Sequence, residues 1–309
     1  MTPIPSLLAL PDPIFDESPA SWMLRLCHYH QSWPNQICGA LGLRKITDFD
    51  VELSLESLHK LSYATSVKEA SLSCLDSMFF HVRSSEQRRA AFLLNLSPRG
   101  YSSYRYCPDC LREDPVPYWR FTWRMAYFQI CPTHRCLLLD RCFACGTMLA
   151  AFPVRTQGFF EDSTQPICRF CLDCRADLGR FQAEILPDCG RLRAVLALQR
   201  VVTAALLRGW FSVSDVEGRF GLDDLPRILM TGVRRCEEGS GAAEQVGRAI
   251  CLPQLNPHAE ERQPTNAEMP GERMVTLGDY HAVDLRQSAN MTWKACFLDA
   301  VDEIKRMNN

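Results

Sequence analysis

Between residues 107 and 174 the chain carries four pairs of metal-ligating side chains, with two residues between the members of each pair. Cys107 and Cys110 are followed after twenty residues by Cys131 and His134, and Cys142 and Cys145 after twenty-five by Cys171 and Cys174. Two residues between ligands let one tight turn aim both at one ion, and two such turns complete a tetrahedron, the geometry of structural zinc. A lone pair of this kind is a weak signal. Four in succession with one inner spacing point to two zinc ions, the first held by three cysteines and a histidine, the second by four cysteines. Cys168 precedes Cys171 with the same spacing and Cys136 stands two residues after His134, so either could replace a neighbouring ligand. Sequential pairing is favoured over interleaved pairing because seven residues, a long spacer, separate His134 from Cys142.

With four protein ligands each, neither ion keeps the open position that catalytic zinc uses for water or substrate. A nucleobase deaminase needs H-x-E followed by P-C-x-x-C. The only H-x-E here is His258-Ala259-Glu260, and Cys296 alone follows it. No phosphate-cradling glycine loop, nucleophile elbow or kinase set occurs. The zinc is therefore expected to be structural and the protein not an enzyme, with no catalytic residue and no organic cofactor.

Composition agrees with a globular chain: 47% hydrophobic and 23% charged residues over 309 positions. No apolar run approaches the ~20 residues that span a bilayer, and Met1 to Pro13 lacks a signal-peptide pattern. A cytoplasmic location with no membrane association is expected, where sixteen cysteines are poor disulfide candidates. Metal ligation requires thiolates. A centre of three cysteines and one histidine adds one net negative charge and a four-cysteine centre two, taking the formal charge from −2 to −5. A large basic domain wrapping nucleic acid is not indicated, and any DNA contact must come from a local basic face.

The elements that position the pairs read as mostly α-helical with small zinc-ribbon or zinc-finger modules. Ser18 reads as an N-cap with Pro19 at the first helical position, and Pro34 opens a second helix ending near Gly42. This pair fits a helix-turn-helix and equally any helical hairpin. Ser54 starts a third helix, and Ser66 with Glu69 forms a capping box for a fourth. Residues 1–97 are expected to form the helix-turn-helix-like N-terminal domain and 98–180 the tandem zinc-finger region, with a short helix over 118–127. Residues 181–236 are read as a C-terminal helical domain with Leu192, Val195, Leu196, Val202 and Leu206 on one face and Gly209 at the helix end. Residues 237–309 read as a linker and a terminal helix of unassigned role.

These residues resemble the TniQ/TnsD family of transposon target-site selection proteins. The run Asp16-Glu17-Ser18-Pro19-Ala20-Ser21-Trp22-Met23-Leu24-Arg25 is similar to the family's opening. So is Tyr106-Cys107-Pro108-Asp109-Cys110-Leu111 with Asp114, Arg120, Trp123, Cys131-Pro132-Thr133-His134 and Leu137. Cys142-Phe143-Ala144-Cys145-Gly146 and Cys171-Leu172-Asp173-Cys174 with Leu178 resemble its second finger. Arg175 departs from the glycine common after the last ligand, and Cys168 is an extra cysteine. The resemblance implies a transposition adaptor in DNA recombination, linking target DNA to an AAA+ regulator of the TnsC/TniB type. Some members read DNA directly, whereas others dock on a CRISPR effector with its guide RNA, as in CRISPR-associated transposons, and dimerise there. The alternative is a zinc-containing DNA-binding transcriptional regulator acting alone.

Residues 81–145 hold ten Arg or Lys against five Asp or Glu. Arg99, Arg105, Arg120 and Arg124, beside Trp119, Trp123 and Tyr127, are candidates for nucleic-acid contact, and Arg25 for nucleic-acid or partner contact. The competing reading has the aromatics as core around the metal and the arginines solvating it. Trp22 is expected in the core. His28, His30, His59 and His81 lack ligand partners at suitable spacing.

Overall fold

The computed structural model describes residues 11–40, 43, 46–53, 55–64, 75–76, 79–83, 93–97, 102–151, 166–188, 190–213 and 216–222. Ser66 and Glu69, Arg99 and the 237–309 segment lie outside these. Among the described residues no helix is long and apolar enough to cross a membrane. The chain divides into two compact units, Met1–Pro187 and Asp188–Asn309, and the N-terminal helices and the finger region, read separately in sequence, share the first.

Helix α1 (Pro19–Tyr29) starts as its sequence dictates. Ser18 is extended, its hydroxyl accepts the Ser21 amide at 3.1 Å, and Pro19 occupies the first turn. The helix buries Trp22, Met23, Leu24 and Leu26 completely. The Trp22 indole N–H, which must find an acceptor once buried, donates to the Pro11 carbonyl at 2.8 Å. Helix α2 (Pro34–Ala40) begins with the Trp33 amide donating to the Gln36 side chain at 2.8 Å, the returning half of a capping box. Helix α3 (Phe49–Glu52) is capped by Asp48, and α4 spans Leu55–Ala64. A short helix, α5 (Pro108–Glu113), opens the finger region. α1 packs against α2, α3 and a one-turn 3-10 helix at Ile167–Arg169.

The helix expected over 118–127 is instead one 3-10 turn, Phe121–Arg124, in an otherwise extended segment. Apart from the local bonds of that turn, its backbone groups pair with distant stretches of chain. The Ser18 amide donates to the Trp119 carbonyl at 2.9 Å, the Phe121 amide to the Asp16 carbonyl at 2.8 Å, and the Ala126 amide to the Leu93 carbonyl at 2.7 Å. Large apolar side chains alternate along it with Arg120, Thr122 and Arg124, the period of an extended chain, and Trp119, Phe121, Trp123, Met125 and Tyr127 are all buried, as are Thr122 and Arg124 between them.

Beneath this segment lies a buried ion cluster. Arg124 and Asp50 have no exposed side-chain surface and stand 3.3 Å apart, while Arg124 also donates to Asp48 at 2.7 Å. The Tyr104 hydroxyl donates to Asp50 and accepts from Ser18 at 3.2 Å, and the Ala20 amide donates to the other Asp50 oxygen at 3.0 Å. One carboxylate thus joins α1, α3, Tyr104 and Arg124.

The second unit is built on the long helix α6 (Gly190–Arg208). It buries Leu192, Val195, Gln199, Val202 and Leu206, while Leu196 is half-buried. Gly209, at φ 80°, ends it by accepting a left-handed conformation that a side chain disfavours. A hairpin follows, within the stretch 181–236 read as a helical domain: β1 (Trp210–Val213) pairs antiparallel with β2 (Val216–Gly221), Phe211 opposite Phe220. Trp210, Phe211 and Val213 of β1 favour the pleated backbone.

Replacing Arg124 with Met leaves two carboxylates without their shared cation, and breaking a buried pair from one side costs ~3–5 kcal/mol. The urea midpoint should fall accordingly, and a loss under ~1 kcal/mol would contradict this account. Burial lifts the Asp50 carboxyl from its ordinary 3.8 to about 6, Asp48 adding to the rise and Arg124, Tyr104 and the Ala20 amide opposing it. Because the folded value is the higher one, this group's stabilisation is complete at low pH and is lost as pH rises through about 6. Denaturant titrations from pH 4 to 7 should show a downward slope that Asp50→Asn removes.

Candidate metal centres

The first ligand pair is presented by a helix start. Cys107 is the extended residue before α5, with Pro108 in the first turn, and Cys110 follows within that turn. The other three pairs sit in knuckles of one backbone design. The Arg135 amide donates to the Cys131 carbonyl and the Cys131 amide to the Cys136 carbonyl, both at 2.9 Å. The same two bonds recur between Gly146 and Cys142 and between Cys142 and Thr147, and again between Arg175 and Cys171 and between Cys171 and Ala176. Each knuckle closes through a left-handed residue: Arg135 at φ 51°, Gly146 at 71° and Arg175 at 64°. The two arginines take a conformation that glycine adopts without strain.

This frame gathers Cys107, Cys110, Cys131 and His134 in one group and Cys142, Cys145, Cys171 and Cys174 in another, each with its ligand atoms within 4.8 Å of one another. A tetrahedral ion with bonds near 2.3 Å to sulfur and 2.0–2.1 Å to nitrogen requires S···S edges of about 3.8 Å and S···N edges of about 3.6 Å. In the first group His134 Nδ1 lies 3.4, 3.3 and 3.6 Å from the sulfurs of Cys107, Cys110 and Cys131, and Cys110 and Cys131 are 3.6 Å apart. In the second, Cys142 and Cys174 are 3.6 Å apart and Cys145 and Cys171 3.8 Å. Both groups match the edges of a tetrahedral ion and can hold one. Pairing is sequential, and four donors per group leave no vertex for a substrate.

Surroundings differ between the two. The first group is largely buried, and His134 Nε2 meets Glu113 at 2.9 Å, which aims Nδ1 inward as outer carboxylates do for metal-binding imidazoles. Glu113 was not evident from sequence, although it lies three residues after Cys110 on the same helix. The second group is nearer the surface, with Cys145 and Cys174 exposed. Gly179 fits tightly against α5: an added Cβ would come within 3.3 Å of the Arg112 backbone nitrogen, and its carbonyl accepts from Arg112 at 3.1 Å. Cys168 belongs to neither group. It is buried against α1, its sulfur 3.6 Å from the Ser21 hydroxyl and its carbonyl accepting the Trp119 indole at 2.8 Å.

The arginines expected at a nucleic-acid face turn inward. Arg105 is buried and donates to the carbonyls of Met125, Ala126 and Phe128 at 3.0–3.2 Å, and burial lowers its pKa to about 10. Arg124 sits in the Asp48–Asp50 cluster with no exposed surface. Arg120 makes a two-pronged pair with Asp114 at 3.0 and 3.1 Å and stacks over Tyr118 and Trp123. Arg25 donates to Glu17 at 2.6 Å and has 14% of its side chain exposed. Arg105 and Arg124 thus direct their guanidinium groups to internal acceptors, Arg120 and Arg25 keep a little exposed surface, and Arg99 lies outside the described residues. Asp48 and Asp50, which hold Arg124, carry no sequence pattern that singles them out, whereas Glu17, which holds Arg25, lies in the Asp16-Glu17-Ser18 run.

Residues 9–138 match the family model described as TniQ, a stretch running from before α1 through the first metal group. No curated protein matches the chain.

Elemental analysis of the purified chain should find about two zinc ions per molecule; folded protein with none would remove the metal assignment. Cys107→Ser and Cys131→Ser should aggregate or lose ordered structure, because site energy becomes folding energy. Cys174→Ser should lower metal content by one ion and Cys168→Ser leave it unchanged. Arg175→Gly should keep both ions and gain up to ~1 kcal/mol in chemical denaturation by relieving the left-handed arginine; a loss of metal would refute that reading.

Proposed function

We propose that this chain, a TniQ-type protein over residues 9–138, is an adaptor that brings an AAA+ transposition regulator of the TnsC/TniB type to a DNA target. The TniQ family implies a transposition-associated role in target selection, and it is a non-catalytic adaptor family. The observation that carries the finer reading is the coincidence of that match with a first metal group whose four vertices are all filled by protein. A closed centre serves as scaffold rather than as reagent. Zinc is the ion both groups suit best, since thiolate and imidazole in a tetrahedron favour it.

The inward arginines support an adaptor over a regulator that reads DNA alone. Affinity for duplex rises with the number of phosphates neutralised. Arg25, Arg105, Arg120 and Arg124 each already answer an internal acceptor. Sequence information then comes from elsewhere, either residues 181–309 or a CRISPR effector whose guide RNA reads the target by pairing. A homodimer belongs to the second arrangement.

Purified protein should bind random duplex in the micromolar range near ~0.1 M salt, more weakly as salt rises. A mobility assay with and without the cognate AAA+ protein and ATP tests this. Recruitment into a stable complex by the ATPase supports the adaptor; nanomolar, sequence-specific binding by the chain alone would favour the lone regulator.

A further inference from the structure

We infer that Cys136, which stands beside the first metal centre at Cys107, is a standby thiolate that moves in and displaces His134 when the ion is soft and thiophilic. This rests on the metal reading above. Cys136 is completely buried, and its sulfur lies 3.6 Å from that of Cys107, the same separation as the ligand pair Cys110 and Cys131. Its position is set by the knuckle itself, because the Cys136 carbonyl accepts the Cys131 amide at 2.9 Å and the Leu186 amide fastens the neighbouring Arg135 carbonyl at 2.8 Å. The equivalent position is Thr147 in the second knuckle and Ala176 in the third. Thr147 turns its hydroxyl to Asp173 at 2.9 Å, and an alanine offers no donor. Only the first centre therefore carries a spare sulfur on the frame that all three knuckles share.

The two competing donors differ in a way that makes metal identity decisive. His134 is the outermost ligand of the group, 17% exposed and braced by Glu113. Imidazole suits zinc, whereas softer ions prefer thiolate. Exchange needs no redox partner. Cys136 loses its thiol proton to solvent and forms a metal–sulfur bond, the metal–nitrogen bond to His134 breaks, and the freed imidazole stays against Glu113. The centre changes from three sulfurs and one nitrogen to four sulfurs.

The test loads the full chain with zinc or with cadmium-113 and compares wild type, Cys136→Ser, His134→Ala and the double variant by elemental analysis and cadmium NMR. Wild type should hold two cadmium ions, both with four-sulfur resonances, and Cys136→Ser should move one of them into the three-sulfur, one-nitrogen range. His134→Ala should keep two ions, and the double variant only one. Unchanged cadmium resonances in Cys136→Ser would overturn the inference even if the His134 variants fail to fold. So would one ion in His134→Ala. Three ions in wild type would overturn it too, since Cys107, Asp109 and Cys136 also lie within 4.8 Å of one another and would then hold an ion of their own. A wild type that binds no ion fails at the earlier metal reading instead.

Discussion

A guanidinium with no exposed surface must be answered by charge and hydrogen bonds, and much of the first unit is arranged around that demand. Arg124 sits in the extended segment that pairs with the chain leading into α1, and its two carboxylates come from the cap and first turn of α3. Asp50 in turn fastens the first turn of α1 through Ala20 and the aromatic layer through Tyr104. Removing any one of these groups strands the others in a medium that solvates charge poorly. The cluster therefore specifies which surfaces meet, whatever it adds to net stability.

A second tie runs beside it. Ser21 both donates its hydroxyl to Glu17, at 2.8 Å, and accepts the Trp119 amide at 2.9 Å. Trp119 passes the connection on through its indole to Cys168, three residues before the ligand Cys171. The opening residues and the finger region thus share one hydrogen-bonded seam. This explains why the acidic-Ser-Pro-x-Ser-Trp run and the cysteine pairs occur in one chain: Glu17, Ser18, Ser21 and Trp22 are all buried at that seam.

The metal groups were legible in the sequence because ligand chemistry is local: a knuckle needs two donors, a fixed gap and a left-handed residue, all within a few positions. The start of α1 was equally legible, since Ser18 and Pro19 act within one turn. The pairing of the 118–127 segment was not, because its partners Asp16, Ser18 and Leu93 lie tens of residues away. Nor were the roles of Arg105 and Arg124 visible. A basic residue near aromatics looks the same in sequence whether it faces water or a buried aspartate. Arg175 departs from glycine in sequence yet takes the glycine-like backbone, so the motif's geometry survived a change that its letters suggested would break it.

The seam between residues 16–21 and 119–121 also orders events during synthesis. Helix α1 is made before the groups that close over it: Trp119, which donates its amide to Ser21, follows 98 residues later and Cys168, whose sulfur meets the same hydroxyl, 147 residues later. Until then Trp22, Met23, Leu24 and Leu26 can be covered only in part, by α2 and α3, and such delayed long-range closure slows folding and leaves apolar surface open to misassembly. Burial of the α1 apolar face thus waits on the finger region that completes it.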